Sequence, residues 1–188
     1  MNVYDFDKTV FYPDSSCCFF LFCLRHYPRA VLHALPSAGA TGARWLLKSA
    51  ETKELKEKLF SFLPYLDNVD QIVHDFWEKY RCHIAPWYLN QRRDDDLIIS
   101  ASPDFLLRPV ANELGVGLIA TQMDRYTGRI LGNNCHDVEK ICRFLKEYPD
   151  GRVDAFYSDS LSDSPMAWFA SEAWLVEDGK DLCPWPNK

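Results

Sequence analysis

Long apolar segments are missing from this 188-residue sequence. The longest uninterrupted run, CCFFLFCL at residues 17–24, is far shorter than the ~20 residues that a helix needs to cross a bilayer. We therefore expect a soluble protein with no transmembrane segment. Apolar residues nevertheless make up 47% of the chain, which is enough for a packed core and excludes global disorder.

Zinc-type and disulfide-type cysteine patterns are also missing. The chain has seven cysteines, an odd number, but no CxxC pair and no His/Cys spacing that is typical of a zinc site. No signal peptide precedes them. These features predict free thiols in a reducing compartment, and therefore a cytoplasmic protein.

Positive charge is in the minority. The formal net charge is −6 and the pI is near 5.3. Binding to a nucleic-acid backbone needs a basic surface, so we expect no nucleic-acid partner.

Short apolar strands alternate with helices through much of the chain. The predicted strands are NVYDF, LIISAS, VGLIATQM, VDAFYS and, last, AWLVE. Such alternation is typical of an α/β protein with a parallel sheet flanked by helices. Residues 13–90 break the alternation because their apolar residues recur at helical spacing, most clearly from Val69 to Tyr80. The sequence therefore predicts a core of residues 1–12 and 91–188, with residues 13–90 inserted as a helical domain.

The helix predicted over DVEKICRFLKEY carries an apolar face. Its members are Val138, Ile141, Cys142, Leu145 and Tyr148. Lys140 lies near the N-terminus of this helix. The free backbone N–H groups at a helix N-terminus attract anions, as the lysine side chain does.

Polar side chains follow the ends of three predicted strands. The clusters are Asp5 with Asp7, Ser100 with Ser102, and Asp159 with Asp163. Parallel α/β sheets bind ligands at the carboxyl ends of their strands, so these clusters could converge on one crevice.

Such a crevice has the groups for phosphoryl transfer. The carboxylates of Asp5, Asp7 and Asp159 suit a hard cation such as Mg²⁺, and Lys140 and Ser100 could hold phosphate oxygens. One carboxylate could attack phosphorus and form an aspartyl-phosphate. A second could protonate the leaving oxygen and then activate water. Carboxylates crowded in this way repel one another, which is a reason to expect a metal ion.

Four segments resemble, in order, the motifs of the haloacid dehalogenase superfamily of phosphatases. They are DFDKT, IISAS, the lysine of DVEK, and SDSLSD. The inserted helical domain resembles that superfamily's C1 cap, and ATQMDRYTGRILGNNCHDVEK is similar to the branch that contains phosphoserine phosphatase. The resemblance covers nearly the whole chain. It implies a Rossmann-like sheet with the strand of the first motif at its centre.

The resemblance also implies roles for the carboxylates. Asp5 would be the nucleophile and a Mg²⁺ ligand. Asp7 would be the general acid and base, and its backbone carbonyl would bind the metal. Asp159 would be a further metal ligand, and Asp163 would support the metal or the active-site lysine.

The resemblance also implies which residues bind the phosphate group. Two positions near the motif residues differ from the family pattern. Ser100, Ala101 and Lys140 would bind the transferring phosphate. Lys8 stands where glycine is most often found in the first motif, and Asp137 stands where this branch often has glycine. The Asp137 departure and the SASP segment weaken the case for phosphoserine as the substrate.

Residues just past the first motif admit two interpretations. Asp14 and Ser15 lie where related enzymes place a substrate-facing residue of the cap, but they also suit the N-cap of the first cap helix, which is favoured. Arg25 and Arg44 could contact an acidic substrate or lie on the surface, and the second is favoured.

Together these features predict a Mg²⁺-dependent phosphatase that hydrolyses a small phosphorylated metabolite through an aspartyl-phosphate intermediate. The cap would close over the site, exclude water and select the leaving group. Three alternatives stay open: a phosphatase for a phospholipid head group, a phosphotransferase with the same intermediate, and a non-catalytic phosphate-binding regulatory module on the same fold.

Overall fold

A six-stranded sheet forms the centre of the molecule. The structure is a computed structural model that describes residues 1–33 and 52–186; part of the predicted insertion, including Arg44, lies outside them. The strands are β1 (Val3–Tyr4), β2 (Leu97–Pro103), β3 (Gly117–Thr121), β4 (Ala155–Ser158), β5 (Glu172–Glu177) and β6 (Asp181–Pro184). Their order is β3-β2-β1-β4-β5-β6. All neighbouring pairs are parallel except β5 and β6, so the predicted α/β class is confirmed.

Helices flank this sheet. They are α1 (Ser15–His26), α2 (Thr52–Leu59), α3 (Val69–Tyr80), α4 (Pro86–Gln91), α5 (Asp104–Leu114), α6 (Val138–Glu147) and α7 (Ser164–Phe169). Short 3₁₀ segments span Leu63–Tyr65, Arg81–His83 and Leu161–Asp163. Between β1 and β2, every regular element that the structure describes is helical. The division of the chain into a core and a cap stays a prediction.

Strand β1 occupies the middle of the sheet, as the motif resemblance implies. Val3 pairs with Leu97 of β2 on one side and with Phe156 of β4 on the other. Both residues of β1 are fully buried, as expected for a central strand of a parallel sheet that is covered on both faces. The backbone N–H of Asp5 donates to the Tyr157 carbonyl at 2.8 Å and continues the ladder by one residue. Asp5 therefore emerges directly from the carboxyl end of the central strand.

Aromatic packing joins the inserted helices to this strand end. Phe6 is fully buried, and Trp77 of α3 meets it edge-on with ring centroids 5.9 Å apart. The same indole meets Phe11 edge-on at 5.3 Å. Its Nε1–H donates to the Leu106 carbonyl of α5 at 2.6 Å. Because a buried indole N–H needs a partner, this bond fixes α3 against the sheet side of the molecule.

Helix ends follow the sequence signals. The side chain of Asn68 accepts a hydrogen bond from the Gln71 N–H and caps α3. Gly115 ends α5 with a φ of 69°, a left-handed conformation that glycine adopts without steric cost.

In the C-terminal half, one predicted helix is confirmed with an unexpected buried face, and one expectation about the strands was wrong. The helix predicted over DVEKICRFLKEY is confirmed as α6, but its apolar face is largely exposed, including Val138 and Leu145, and its buried residues are Lys140 and Phe144. Phe144 packs the helix against the sheet and turns Lys140 inward, so a charged residue takes a place that periodicity assigns to an apolar one. AWLVE is not the last strand, because β6 pairs antiparallel with β5 at the edge.

The state of the cysteines and the length of the helices can be compared with the expectations from the sequence. All seven cysteines lie in described residues and are free thiols. Within residues 1–33 and 52–186, no helix has the length and apolar content needed to cross a bilayer.

Candidate active site

A tight turn after β1 separates three consecutive side chains. The Phe6 carbonyl accepts hydrogen bonds from the N–H groups of Thr9 and Phe11, at 3.3 and 2.8 Å. This turn sends Phe6 into the core, while Asp5 and Asp7 line a common cavity. The turn places Lys8 at a φ of 57°, in the left-handed region. The position that departs from the family's glycine is thus one where glycine would be conformationally favoured.

A buried ammonium group joins two of the predicted carboxylates. Nζ of Lys140 is 2.7 Å from Oδ1 of Asp5 and 2.6 Å from Oδ2 of Asp163. The Ser158 hydroxyl donates to the same Asp163 oxygen at 2.7 Å. Lys140 is only 2% exposed. Burial opposes its charged form, but the two carboxylates outweigh burial and raise the pKa of Lys140.

Helix α6 holds that lysine in place by two anchors besides Phe144. Arg143 donates from Nη1 to the Ala120 carbonyl of β3 at 2.8 Å and from Nη2 to the Asn133 carbonyl at 2.7 Å. The helix therefore cannot rotate Lys140 away from the carboxylates without breaking contacts with the sheet edge.

Asp7 is held by the start of α1 and the end of β2. Its Oδ1 accepts from the Ser15 N–H at 2.6 Å, and its Oδ2 accepts from the Ser102 hydroxyl at 2.5 Å. The Ser15 hydroxyl donates to Oγ of Ser102 at 3.2 Å, and Ser16 lies 3.0 Å from the same oxygen. Both carboxylate oxygens of Asp7 thus have a donor of fixed position.

Burial changes the acidity of both carboxylates after β1. It raises the pKa of Asp5 to about 7, against the opposing charge of Lys140, and Asp163 adds to the rise. Burial together with Asp14 raises the pKa of Asp7 to about 6, although the hydrogen bonds from Ser102 and Ser15 oppose it. Carboxyl groups with such values can exchange protons near neutral pH, which is what acid and base catalysis requires.

Asp14 and Ser15 differ in placement. The Asp14 side chain accepts from the Cys17 N–H at 2.8 Å and caps α1, which is the favoured interpretation, and Asp14 also lines the cavity. Ser15 is fully buried and does not line the cavity. Its N–H and hydroxyl are used to hold Asp7 and Ser102. The structure therefore argues against a substrate contact for Ser15.

The end of β2 forms the opposite wall. Oγ of Ser100 accepts from the Ser102 N–H at 3.0 Å, and the Ala101 carbonyl accepts from Nζ of Lys56 at 2.5 Å. Lys56 belongs to α2 and also donates to Asn134 at 2.9 Å. Burial lowers the pKa of Lys56, with nearby carboxylates opposing. An inserted helix is thereby tied to the strand end that presents Ser100.

All of these elements enclose one cavity of about 520 Å³. Its lining from the sheet side comprises Asp5, Asp7, Lys8, Ser100, Ala101, Ser102, His136, Lys140, Asp159, Ser160, Ser162 and Asp163. Its lining from the inserted helices comprises Asp14, Ser16, Cys17, Leu55, Lys56, Lys58 and Leu59. The predicted catalytic, phosphate and metal residues thus share one cavity, whereas their roles stay predictions.

Sequence reasoning missed two polar residues of this cavity. Ser102 was part of a strand-end cluster, yet nothing in SAS indicated that its hydroxyl bonds to Asp7, 95 residues away. Lys56 lies in an amphipathic helix rich in lysine, and no local signal distinguishes it from its solvated neighbours.

The donors present fit a magnesium ion that keeps part of its water. In the parts of the chain that the structure describes, no three His, Cys, Asp or Glu side chains form a complete metal site. Mg²⁺ at phosphate-handling sites takes one or two carboxylates, with waters and the substrate phosphate completing its shell. Asp5 and Asp159 would supply two carboxylates beside the Asp7 backbone carbonyl. Oδ1 of Asp163 is buried and has no hydrogen-bond partner among the described residues, so a further oxygen donor is available.

Comparison with known proteins identifies related sequences. The family model described as haloacid dehalogenase-like hydrolase matches residues 3–167. Protein CicA of Caulobacter vibrioides (strain NA1000 / CB15N) is 31% identical over 144 residues, which are 71% of this chain and 60% of the relative. The chain thus spans well under two thirds of that relative's length.

Solved structures show the same fold. A protein of unknown function from Bordetella pertussis Tohama I superposes with a TM-score of 0.76 at 21% identity, covering 92% of this chain and 87% of that one. A substrate-bound phosphoserine phosphatase superposes with a TM-score of 0.60 at 11% identity, covering 91% and 82%. At these identities the likeness establishes the fold, and the site must be argued from its own residues.

Proposed function

Because this chain belongs to the haloacid dehalogenase-like hydrolase family, we propose that it hydrolyses small phosphomonoesters through an aspartyl-phosphate intermediate, with Mg²⁺ as cofactor. The observation that supports this most is the meeting of Asp5, Asp7, Lys140 and Asp159 around one cavity at the carboxyl end of the central strand. The ligand class is a small phosphorylated metabolite, and we expect it to be met in the cytoplasm.

The first step forms a bond between Asp5 and phosphorus. Lys140 holds Oδ1 of Asp5, which leaves the other carboxylate oxygen to attack. The ester P–O bond breaks, and Asp7 gives its proton to the leaving oxygen. Mg²⁺, held by Asp5, Asp159 and the Asp7 carbonyl, would neutralise charge on the phosphate oxygens.

The second step releases phosphate. Asp7, now ionised, takes a proton from a water molecule that attacks the phosphorus of the aspartyl-phosphate. The acyl phosphate P–O bond breaks, and the Asp5 carboxylate is restored. The bonds from Ser15 and Ser102 keep Asp7 in one orientation through both proton transfers. Ser100 and Lys140 would hold the phosphate oxygens throughout.

Helix α2 bounds the side of the cavity where a leaving group would lie. Leu55 and Leu59 are one helical turn apart and both line the cavity, together with Lys56 and Lys58. A roof of this kind excludes water from the phosphorylated intermediate. It also favours a small leaving group over a phosphoprotein.

Turnover of an aryl phosphate tests this proposal. Wild type should hydrolyse p-nitrophenyl phosphate with Mg²⁺ and lose turnover in EDTA. With Mg²⁺ present, Asp5→Asn should be inactive and Asp7→Asn should turn over only slowly. Asp94→Asn, at an exposed carboxylate, is the matched control and should resemble wild type. Wild-type rates in Asp5→Asn would contradict the proposal. Saturable phosphate binding without turnover would favour a non-catalytic module instead.

A substrate panel then separates the remaining candidates. It should include phosphoserine, other phosphorylated metabolites and a phospholipid head group presented in detergent. Transfer to an added alcohol in preference to water would identify a phosphotransferase, because both activities share the first step.

A further inference from the structure

Lys8 occupies a backbone position that disfavours its own side chain. Its φ of 57° lies in the left-handed region, which glycine adopts freely and which crowds the Cβ of an L-residue. An observed outlier of this kind near a site is a reason to look for a function of the side chain.

The surrounding turn dictates this backbone conformation. The Lys8 N–H donates to the Pro13 carbonyl at 3.3 Å, and the Phe6 carbonyl accepts from two later N–H groups in the same turn. Thr9 and Val10, which follow, are fully buried. Glycine would satisfy all of these backbone bonds without strain. What lysine adds is therefore only its exposed side chain.

That side chain lies at the junction of two cavities. Lys8 and Asp159 both line the catalytic cavity, and both also line an adjoining cavity of about 690 Å³. Lys8 makes no ion pair within 4.0 Å of any described carboxylate. Its ammonium is thus close to the reacting groups and still able to bind an anion.

Two of the three other lysines that line the catalytic cavity are already engaged, and the third, Lys58, lies on α2. Lys140 is bonded to Asp5 and Asp163, and Lys56 is bonded to the Ala101 carbonyl and Asn134. Neither ammonium can reach an anion on the leaving group without giving up these hydrogen bonds.

We propose that Lys8 is a specificity-determining residue that binds an anionic group on the leaving part of the substrate. Phosphomonoesters that carry a second negative charge, as carboxylate or phosphate, are then preferred over those with a neutral leaving group. This inference rests on the proposed phosphatase function. It assigns Lys8 to substrate selection, whereas the bond-making steps stay with the aspartates.

Paired aryl phosphates measure this selection directly. The probes are phenyl phosphate, its para-carboxylate and its para-phosphonate, which differ in the second charge and share one scissile bond. Lys8→Gly should lower kcat/KM for the two charged probes by about two- to fivefold, the range of an exposed charge pair, and mainly through KM. The value for phenyl phosphate should change less than about twofold. Comparing the two charged probes shows which anion is preferred.

Control variants separate charge from backbone strain. Lys8→Arg keeps the charge and should retain the preference. Lys180→Gly removes a lysine from another exposed turn and should resemble wild type. Lys8→Gly should be at least as stable as wild type, because glycine relieves the left-handed strain.

The possible outcomes are distinguishable. An equal loss on all three probes would overturn the inference and show that Lys8 acts through Asp159 or the turn. No change on any probe would overturn it as well. If wild type hydrolyses none of the probes with Mg²⁺, the proposed function fails and this inference fails with it.

Discussion

Removal of the Lys140 ammonium should destabilise the protein strongly. Lys140→Met leaves Asp5 and Asp163, which now lie 2.7 and 2.6 Å from the ammonium, as two buried carboxylates without a counter-charge. Breaking a buried ion pair from one side costs about 3–5 kcal/mol, out of a total stability of about 5–15 kcal/mol. For a chain of this size, about 2–4 °C per kcal/mol converts this to a fall in Tm of roughly 6–20 °C.

Thermal and urea unfolding in EDTA measure this effect without help from a bound cation. Lys146→Met is the matched control, because Lys146 lies on the same helix but is exposed, and its loss should change stability by less than about 0.5 kcal/mol. The double variant Lys140→Met/Asp163→Asn removes one of the stranded charges. It should recover roughly 0.5–3 kcal/mol relative to Lys140→Met, the usual coupling of contacting groups.

Two results would refute this reasoning. A loss below about 1 kcal/mol in Lys140→Met would place the pair in the range of exposed salt bridges and contradict its burial. Simple additivity of Lys140→Met and Asp163→Asn would show that the two residues do not interact in the folded protein. Loss of turnover alone, with stability intact, would leave Lys140 a role in phosphate binding but no structural role.

Three further predictions follow from named contacts. Ser102→Ala removes a hydrogen bond to the Asp7 carboxylate worth about 1.5–3 kcal/mol, so kcat/KM should fall roughly 10- to 100-fold, whereas Ser171→Ala at an exposed hydroxyl should match wild type. Lys56→Met removes the hydrogen bond from α2 to the Ala101 carbonyl, so amide hydrogen exchange in α2 should become faster while exchange in β1 stays constant. Equal exchange rates in α2 of the variant and of wild type would contradict a role for this bond in holding α2. Burial raises the pKa of Asp96 above 3.8, so its contribution to stability is lost as the pH rises through the raised value. The stability of Asp96→Asn relative to wild type, measured by urea titration, should therefore increase as the pH rises through that range. A stability difference that does not change with pH would contradict this prediction.

The sheet was predictable because its strands carry local signals. Each parallel strand is a compact apolar run, and helix α3 shows an unbroken 3.6-residue repeat that matches Val69–Tyr80 residue for residue. Strand β6 lacked such a run, since its residues are largely exposed at an edge. The sequence did not indicate which face of α6 is buried, because Lys140 is buried for charge pairing, which hydrophobic periodicity does not register.

The two departures from the family's glycines share one physical explanation. Lys8 and Asp137 have φ values of 57° and 56°, both in the left-handed region. A motif comparison marks such positions as unusual but gives no conformation. The structure shows that the turns persist with a side chain present, because the backbone bonds around them fix the geometry.

Contacts between segments that are distant in the sequence could not be predicted from the sequence. Ordered motifs indicated which aspartates and which lysine belong together, because their spacing matches a known pattern. The hydroxyl of Ser102 and the ammonium of Lys56 join the site only through folding, across 95 and 45 residues. Neither residue type is unusual in its own helix or strand, so no local signal marks them.

Trapping the covalent intermediate tests the central claim most directly. Asp7→Asn should still be phosphorylated by p-nitrophenyl phosphate, whose leaving group needs little protonation, but should turn over slowly because no base activates water. Acid quenching followed by peptide mass spectrometry should then find one phosphoryl group on Asp5, and none in Asp5→Asn/Asp7→Asn. Turnover by wild type with no phosphoryl group on Asp5 in the trapped variant, or a label on another residue, would contradict the account.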